Sequence, residues 1–112
     1  MIHAKFIIHS KEDKIVSFEI TGHAGYADAG EDIVCAAVSV LAIETVNSID
    51  KMVSHQMTVE EASDEGGYLF AQIKPNLTAE QAQVTQILLQ HLYLSLEDVA
   101  NTYPNYVKIE TI

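Results

Sequence analysis

The chain has 112 residues, 48% of them hydrophobic, and sixteen acidic residues against six basic ones give it a formal net charge of −10. This length and composition fit one domain, residues 1–112, with a continuous apolar core. The charge disfavours direct binding to nucleic acid, which needs clustered Lys and Arg, and a single cysteine excludes an internal disulfide. We expect a cytoplasmic protein without a membrane segment, because no secretion signal is recognisable and the longest apolar run, residues 33–43, is too short to cross a bilayer.

The N-terminal region is predicted to form a β-hairpin. Apolar and polar residues alternate along residues 1–9 and again along residues 15–20, which is typical of strands with one buried face. The polar segment "SKEDK" between them supplies the turn. The apolar face of the first strand consists of Ile2, Ala4, Phe6 and Ile8.

A glycine-rich segment and then a long apolar helix follow the hairpin. The spacing of the apolar residues predicts a helix from about Asp32 to Val53. Its first half is so apolar that we expect a buried central helix. Residues 57–63 and 68–74 are predicted to form a second hairpin, joined by the turn "DEGG".

The last third of the chain is predicted to contain a helix and a strand. Thr78 and Gln81 have the spacing of a capping box, which opens a helix from about Ala79 to Asn101. The segment "YVKIE" after Pro104 then supplies the last strand. The resulting order, ββ-α-ββ-α-β, predicts an α+β fold with a largely antiparallel sheet and two main helices.

Residues 21–39, "TGHAGYADAGEDIVCAAVS", combine three glycines, a histidine and the only cysteine of the chain. Cys35 is predicted to lie in the first turn of the helix, where unpaired N–H groups favour a thiolate and can stabilise an oxyanion. It is therefore a candidate nucleophile. Free cysteines are also often buried core residues, and "VCAAVSV" is compatible with that structural role.

His23 is the candidate general base, because it is predicted at a strand end that precedes a loop returning towards Cys35. A histidine beside a glycine is also common in turns that have no catalytic role. A metal site formed by His23 and Cys35 with Asp28 or Asp32 matches no common ligand spacing, so we predict neither a metal nor a cofactor. Ser39 lies one helical turn beyond Cys35 on the same face and is a candidate supporting residue.

The segment "ITGHAGYADAGEDIVCAAVSVL", residues 20–41, resembles the signature of the ribosomal-processing cysteine proteases of the Prp, or YsxB-like, family. The shared pattern is a G-H-A-G turn, an acidic loop and a D-x-V-C-A-x-V-S helix start. The resemblance extends over the whole chain in length, acidic balance and element order. It implies that Cys35 is the nucleophile and His23 its base, with Asp32 as the first choice and Asp28 as the second for a group that orients the histidine.

The resemblance also implies a substrate. Family members are homodimers that remove a basic N-terminal extension from ribosomal protein twenty-seven of the large subunit, cutting after an aromatic residue, and so support ribosome assembly. A mobile loop, here about Ala24 to Ile33, would cover the site, with Gly22, Gly25 and Gly30 as hinges. The alternative is a non-catalytic dimeric ribosome-assembly or peptide-binding module, in which the thiol is buried and unreactive.

Overall fold

Five strands and two helices follow one another along the chain in the predicted order. The computed structural model describes residues 1–22, 29–54, 57–61 and 67–112, with residues 29–32 as backbone alone. The elements are β1 (Ile2–His9), β2 (Lys14–Thr21), α1 (Ala29–Val53), β3 (Thr58–Glu61), β4 (Tyr68–Gln72), α2 (Ala79–Thr102) and β5 (Val107–Thr111). The predicted ββ-α-ββ-α-β order is thereby confirmed.

The strands form one five-stranded sheet with the spatial order β3-β4-β2-β1-β5. The pairs β1–β2, β2–β4 and β3–β4 are antiparallel, whereas β1 and β5 are parallel. The register of β1 against β2 shifts between Ile7 and Ile8, where the ladder is irregular. The predicted largely antiparallel sheet is therefore confirmed, with one parallel pair at its edge.

The core lies between one face of this sheet and the two helices. Because strand side chains alternate between the two faces, Phe6 and its cross-strand neighbour Phe18 share the inner face and are fully buried. The ring of Tyr93, on α2, packs edge-on against Phe6 with centroids 5.1 Å apart. Leu89, Leu92 and Leu96 of the same helix complete this part of the core.

Helix α1 differs from the prediction in its start and in its burial. It begins at Ala29, three residues before the predicted Asp32. Its first half is not buried all round, because Ile33, Val40 and Ile43 are 61%, 60% and 46% exposed. The physical reason is the two-layer architecture, in which one face of α1 contacts the core and nothing in the described part of the chain covers the opposite face.

The apolar character of α1 also bears on the membrane prediction. Residues Ile33–Val53 are long and apolar enough to cross a bilayer, by length and composition alone. The prediction that no apolar segment has sufficient length was therefore wrong. Val34, Val38 and Ile49 are nevertheless buried in the core, which is the arrangement of a core helix.

Glutamine side chains on α2 tie this helix to the rest of the fold. The predicted capping box is present, since Gln81 N–H donates to Thr78 Oγ1 and Thr78 N–H donates to Gln81 Oε1. The Nε2 group of Gln81 also donates to the carbonyl of Val53, the last residue of α1. Further along the helix, Gln86 Nε2 donates to the carbonyl of Ile15 at 2.7 Å, and Ile15 N–H donates back to Gln86 Oε1 at 2.9 Å.

The Gln86 contact predicts a measurable loss of stability. Gln86→Ala removes both hydrogen bonds to β2 and leaves two partly buried backbone groups of Ile15 without partners, so the free energy of unfolding should fall by about 2 kcal/mol. Gln90→Ala is the matched control, because Gln90 is exposed on the same helix and should change stability by less than about 0.5 kcal/mol. Urea denaturation of the three proteins measures both effects, and equal losses in the two variants would contradict the assignment.

Candidate active site

The orientation of α1 about its own axis determines where the single thiol lies. Val34, Val38 and Ala42 recur at helical spacing and are buried against the sheet. Cys35 lies beside this stripe, packs against the core and is half-buried. The thiol is therefore positioned at the boundary between the core and the surface, where a fixed side chain can still meet a substrate.

A cleft of about 190 Å³ opens at this boundary, between α1 and the end of the sheet. The helix contributes Cys35, Val38, Ser39, Ala42 and Ile43 to its lining. The strands and their ends contribute Ile2, Ile20, Gly22, Glu61, Gly67, Tyr68 and Leu69. Most of this lining is apolar, so the cleft favours an apolar side chain next to the thiol.

Gly22 joins the sheet to the cleft under a tight backbone constraint. Its φ of +80° lies in the left-handed region. Its N–H donates to the carbonyl of Gly67 at 2.8 Å, which ties the end of β2 to the start of β4. A Cβ atom at this position would collide with the carbonyl oxygen of Met1, so only glycine fits without a shift.

The structure corrects the predicted environment of Cys35. Because α1 begins at Ala29, Cys35 is its seventh residue and lies in the second turn, beyond the amides that a helix leaves unpaired at its start. Gly30 and Ile33 are helical, so residues 29–33 of the predicted loop from Ala24 to Ile33 belong to α1 instead. The predicted hinge at Gly30 therefore lies within a helix.

Several residues of the predicted site cannot be placed. His23, Gly25 and Asp28 lie outside the described residues, and of Asp32 only the helical backbone is described. Their roles therefore remain predictions. Ser39, by contrast, is described: it is exposed and lines the same cleft as Cys35.

The second hairpin contributes Glu61 and Tyr68 to the lining of the cleft, which the sequence did not identify. Tyr68 is paired with Thr21, and its hydroxyl lies 3.5 Å from Glu19 Oε2 on the face of the sheet opposite the helices. Partial desolvation raises the pKa of Tyr68 above its usual value, and the carboxylates of Glu19 and Glu60 raise it further. Tyr68 is therefore a neutral phenol and a hydrogen-bond donor at neutral pH. The "DEGG" turn predicted the hairpin but could not show that β4 pairs with β2.

The described part of the cleft offers a thiol, the hydroxyl group of Ser39 and a carboxylate among apolar walls. Among the described residues, no group of three or more His, Cys, Asp or Glu side chains is arranged to hold a metal ion. The chemistry that this set can perform is nucleophilic attack by sulfur on an acyl group, provided that a base accepts the thiol proton.

Comparison with known proteins places this arrangement in context. The model of a family described as cysteine protease Prp matches residues 1–108. Over 105 residues, the chain is 31% identical to the ribosomal processing cysteine protease Prp of Bacillus subtilis (strain 168), covering 94% of this chain and 93% of that protein. It is 26% identical over 98 residues to the protein of the same name from Staphylococcus aureus (strain NCTC 8325 / PS 47), covering 88% of each chain.

Solved structures share the fold over the full length of the chain. The crystal structure of SMU.848 from Streptococcus mutans superposes with a TM-score of 0.88 at 30% identity, covering 100% of this chain and 94% of the other. The structure of an essential ribosomal processing protease Prp from S. aureus in complex with a covalently linked product peptide gives a TM-score of 0.84 at 25% identity, covering 100% of both chains. These matches confirm the predicted fold class.

The constraint at Gly22 predicts the effect of the smallest substitution. Gly22→Ala should lower the free energy of unfolding by at least about 1 kcal/mol from the left-handed backbone alone, and the collision with the Met1 carbonyl adds to this. Urea denaturation measures the loss. Asparagine tolerates the left-handed region but also carries a Cβ atom, so Gly22→Asn should recover the backbone part of the loss and keep the part caused by the collision. If the asparagine variant regains wild-type stability, the collision is not the cause.

Proposed function

Because the chain belongs to the cysteine protease Prp family and is a cysteine protease, we propose that it removes the basic N-terminal extension of ribosomal protein twenty-seven of the large subunit, cutting after an aromatic residue through a His23–Cys35 dyad. This cleavage would support ribosome assembly. The observation that carries the proposal is that Cys35 and Gly22, the residue immediately before His23, line one cleft. The end of β2 and the second turn of α1 thereby meet at one site.

The proposed reaction proceeds through an acyl-enzyme. His23 accepts the thiol proton, and the sulfur of Cys35 attacks the scissile carbonyl carbon to form a tetrahedral oxyanion. His23 then donates the proton to the departing amine, the C–N bond breaks, and a thioester remains on Cys35. Water activated by His23 hydrolyses this thioester and regenerates the thiol. Asp32 or Asp28 would orient the imidazole, and the hydroxyl of Ser39 would support the site.

The shape of the cleft supports cutting after an aromatic residue. Ile20, Val38 and Leu69 form apolar walls close to Cys35. A volume of about 190 Å³ is below the range of pockets that enclose a whole drug-sized ligand, so it suits a single large side chain. An aromatic ring seated there would gain from burial and would place the following peptide bond beside the thiol.

Charge and exposed apolar surface support the proposed partners. A net charge of −10 attracts a basic extension and disfavours direct contact with nucleic acid. The exposed side chains of Ile33, Val40 and Ile43 form an apolar face on α1 that a second copy of the chain could cover, consistent with a cytoplasmic homodimer. No cofactor or metal enters the proposed reaction.

A second candidate is a dimeric module that binds the ribosomal extension without cutting it. The half-buried thiol, which packs partly against the core, is the observation that favours this reading. The two candidates differ in whether the peptide bond is broken.

Substitution of the thiol separates these candidates. Cys35→Ala should abolish cleavage of a peptide that spans the extension, because no other group in the described cleft replaces the sulfur nucleophile, and Cys35→Ser should do the same. Mass spectrometry of the peptide detects the cut, and thermal unfolding checks that both variants stay folded. Cleavage by Cys35→Ala would overturn the nucleophile assignment, whereas binding without cutting by the wild type and both variants would favour the module.

Substitution of the histidine tests the base. His23→Ala should lower kcat/KM by about 10²- to 10⁴-fold and remove the acidic limb of the pH–rate profile, because the base must be neutral to accept the proton. His3→Ala is the control, since His3 is exposed on β1, on the face of the sheet opposite the helices. An unchanged profile in His23→Ala would exclude this residue as the base.

A further inference from the structure

Glu61, the last residue of β3, supplies the only charged side chain in the described lining of the Cys35 cleft. Its orientation follows from strand register. Glu61 is paired with Leu69, which is in turn paired with Ile20, and all three line the cleft. Glu60 is paired with Phe70 and therefore points to the opposite face of the sheet. The cleft is thus lined by one of two adjacent carboxylates.

Within the part of the chain that the structure describes, the carboxylate of Glu61 has no cationic partner. The chain has six basic residues, all of them lysines and all in described segments, and none of them lines the cleft. Among the described residues, the one ion pair joins Lys14 to Glu12. Glu61 is exposed, so its charge is solvated at the mouth of the cleft until something displaces the water.

The surroundings of Glu61 add to its negative potential. On the other face of the sheet, Glu19 and Glu60 lie close enough to the phenol of Tyr68 to raise its pKa. A cation at the mouth of the cleft would therefore meet an uncompensated carboxylate and a field of the same sign behind it. A metal ion is a poor candidate for this cation, because within the described ranges no group of three or more ligands is arranged to hold one.

We propose that Glu61 is a specificity-determining residue that binds a lysine or arginine of the peptide substrate while the neighbouring aromatic side chain fills the apolar part of the cleft. This inference rests on the proposed function for the identity of the reaction. It adds a requirement that net charge alone does not give: the cation must lie near the cut, within reach of Glu61. A positive charge far along the peptide would gain little, because solvent and salt screen it.

The test is a charge exchange between peptide and protein. Fluorogenic peptides with one aromatic residue followed by alanine carry lysine, norleucine or glutamate at one of the three positions before the aromatic residue or one of the three positions after the alanine. Wild type should cleave the best lysine peptide with a kcat/KM about tenfold above its norleucine counterpart, as expected for one charge-assisted hydrogen bond. Glu61→Gln should lose this preference, and Glu61→Lys should prefer glutamate at the same position.

Glu60→Gln is the matched control, since it makes the same charge change one residue away on the other face of the sheet. It should keep the lysine preference. Equal losses of preference in Glu60→Gln and Glu61→Gln would mean that only the general field of the domain matters and would overturn the proposal. A wild-type enzyme with no lysine preference at any of the six positions would overturn it as well.

Binding measurements separate this proposal from the proposed function. Peptide affinities by fluorescence anisotropy are measured with Cys35→Ser and with the double variants Cys35→Ser/Glu61→Gln and Cys35→Ser/Glu60→Gln. If no protein cuts any peptide but lysine peptides bind Cys35→Ser about tenfold more tightly, and only the Glu61 change removes this difference, the protease function fails and the role of Glu61 stands. If the wild type cuts the peptides and the Glu61 changes affect neither preference nor affinity, the protease function stands and the role of Glu61 fails.

Discussion

One face of α1 packs against the sheet through Val34, Val38 and Ala42, and this contact decides what the neighbouring positions of the helix can do. Cys35, one residue after a fully buried valine, is held at the core boundary because the helix cannot rotate without exposing that stripe. Ser39 follows it into the cleft for the same reason. The opposite face of the helix keeps its apolar residues in solvent. A single packing constraint thus divides α1 into a buried face, a face that lines the cleft and a face exposed to solvent.

The cleft combines two different kinds of surface. Its walls are an extension of the core, since Ile2, Ile20 and Val38 are buried residues that also line it. Its mouth is polar, because the second hairpin adds the carboxylate of Glu61 at the same end of the sheet. Apolar walls favour binding of a side chain but do not distinguish among peptides that carry one, whereas a charged mouth adds a second criterion. An acidic domain can in this way be selective for a short sequence rather than for positive charge in general.

Much of this fold could be predicted from local patterns. Alternation of apolar residues indicated the strands, and the Thr78–Gln81 pair marked the first residue of α2, because capping is decided by residues that are neighbours in sequence. The exposure of Val40 could not be predicted, since periodicity shows which residues share a face but not which faces a single chain leaves uncovered. The same limit applies to Glu61, which reaches the cleft only because β4 pairs with β2 across the intervening helix. Family resemblance supplied the roles of His23 and Cys35, which spacing alone did not distinguish from a turn residue and a core thiol.

The parallel pairing of β1 with β5 has a consequence for how the domain is made. Ile2 lies opposite Val107, and the N–H of Ile2 donates to the carbonyl of Tyr106, so the first and last strands are joined side by side. Contacts between such distant residues form slowly, because most of the chain must be ordered as a closed loop before they are gained. While the protein is being synthesised, the edge of β1 that β5 covers stays unpaired until residues 107–111 have left the ribosome. The sheet beneath the helix that carries the thiol is therefore completed only after β5 has been synthesised. A nascent chain thus contains Cys35 well before it contains a fully folded domain.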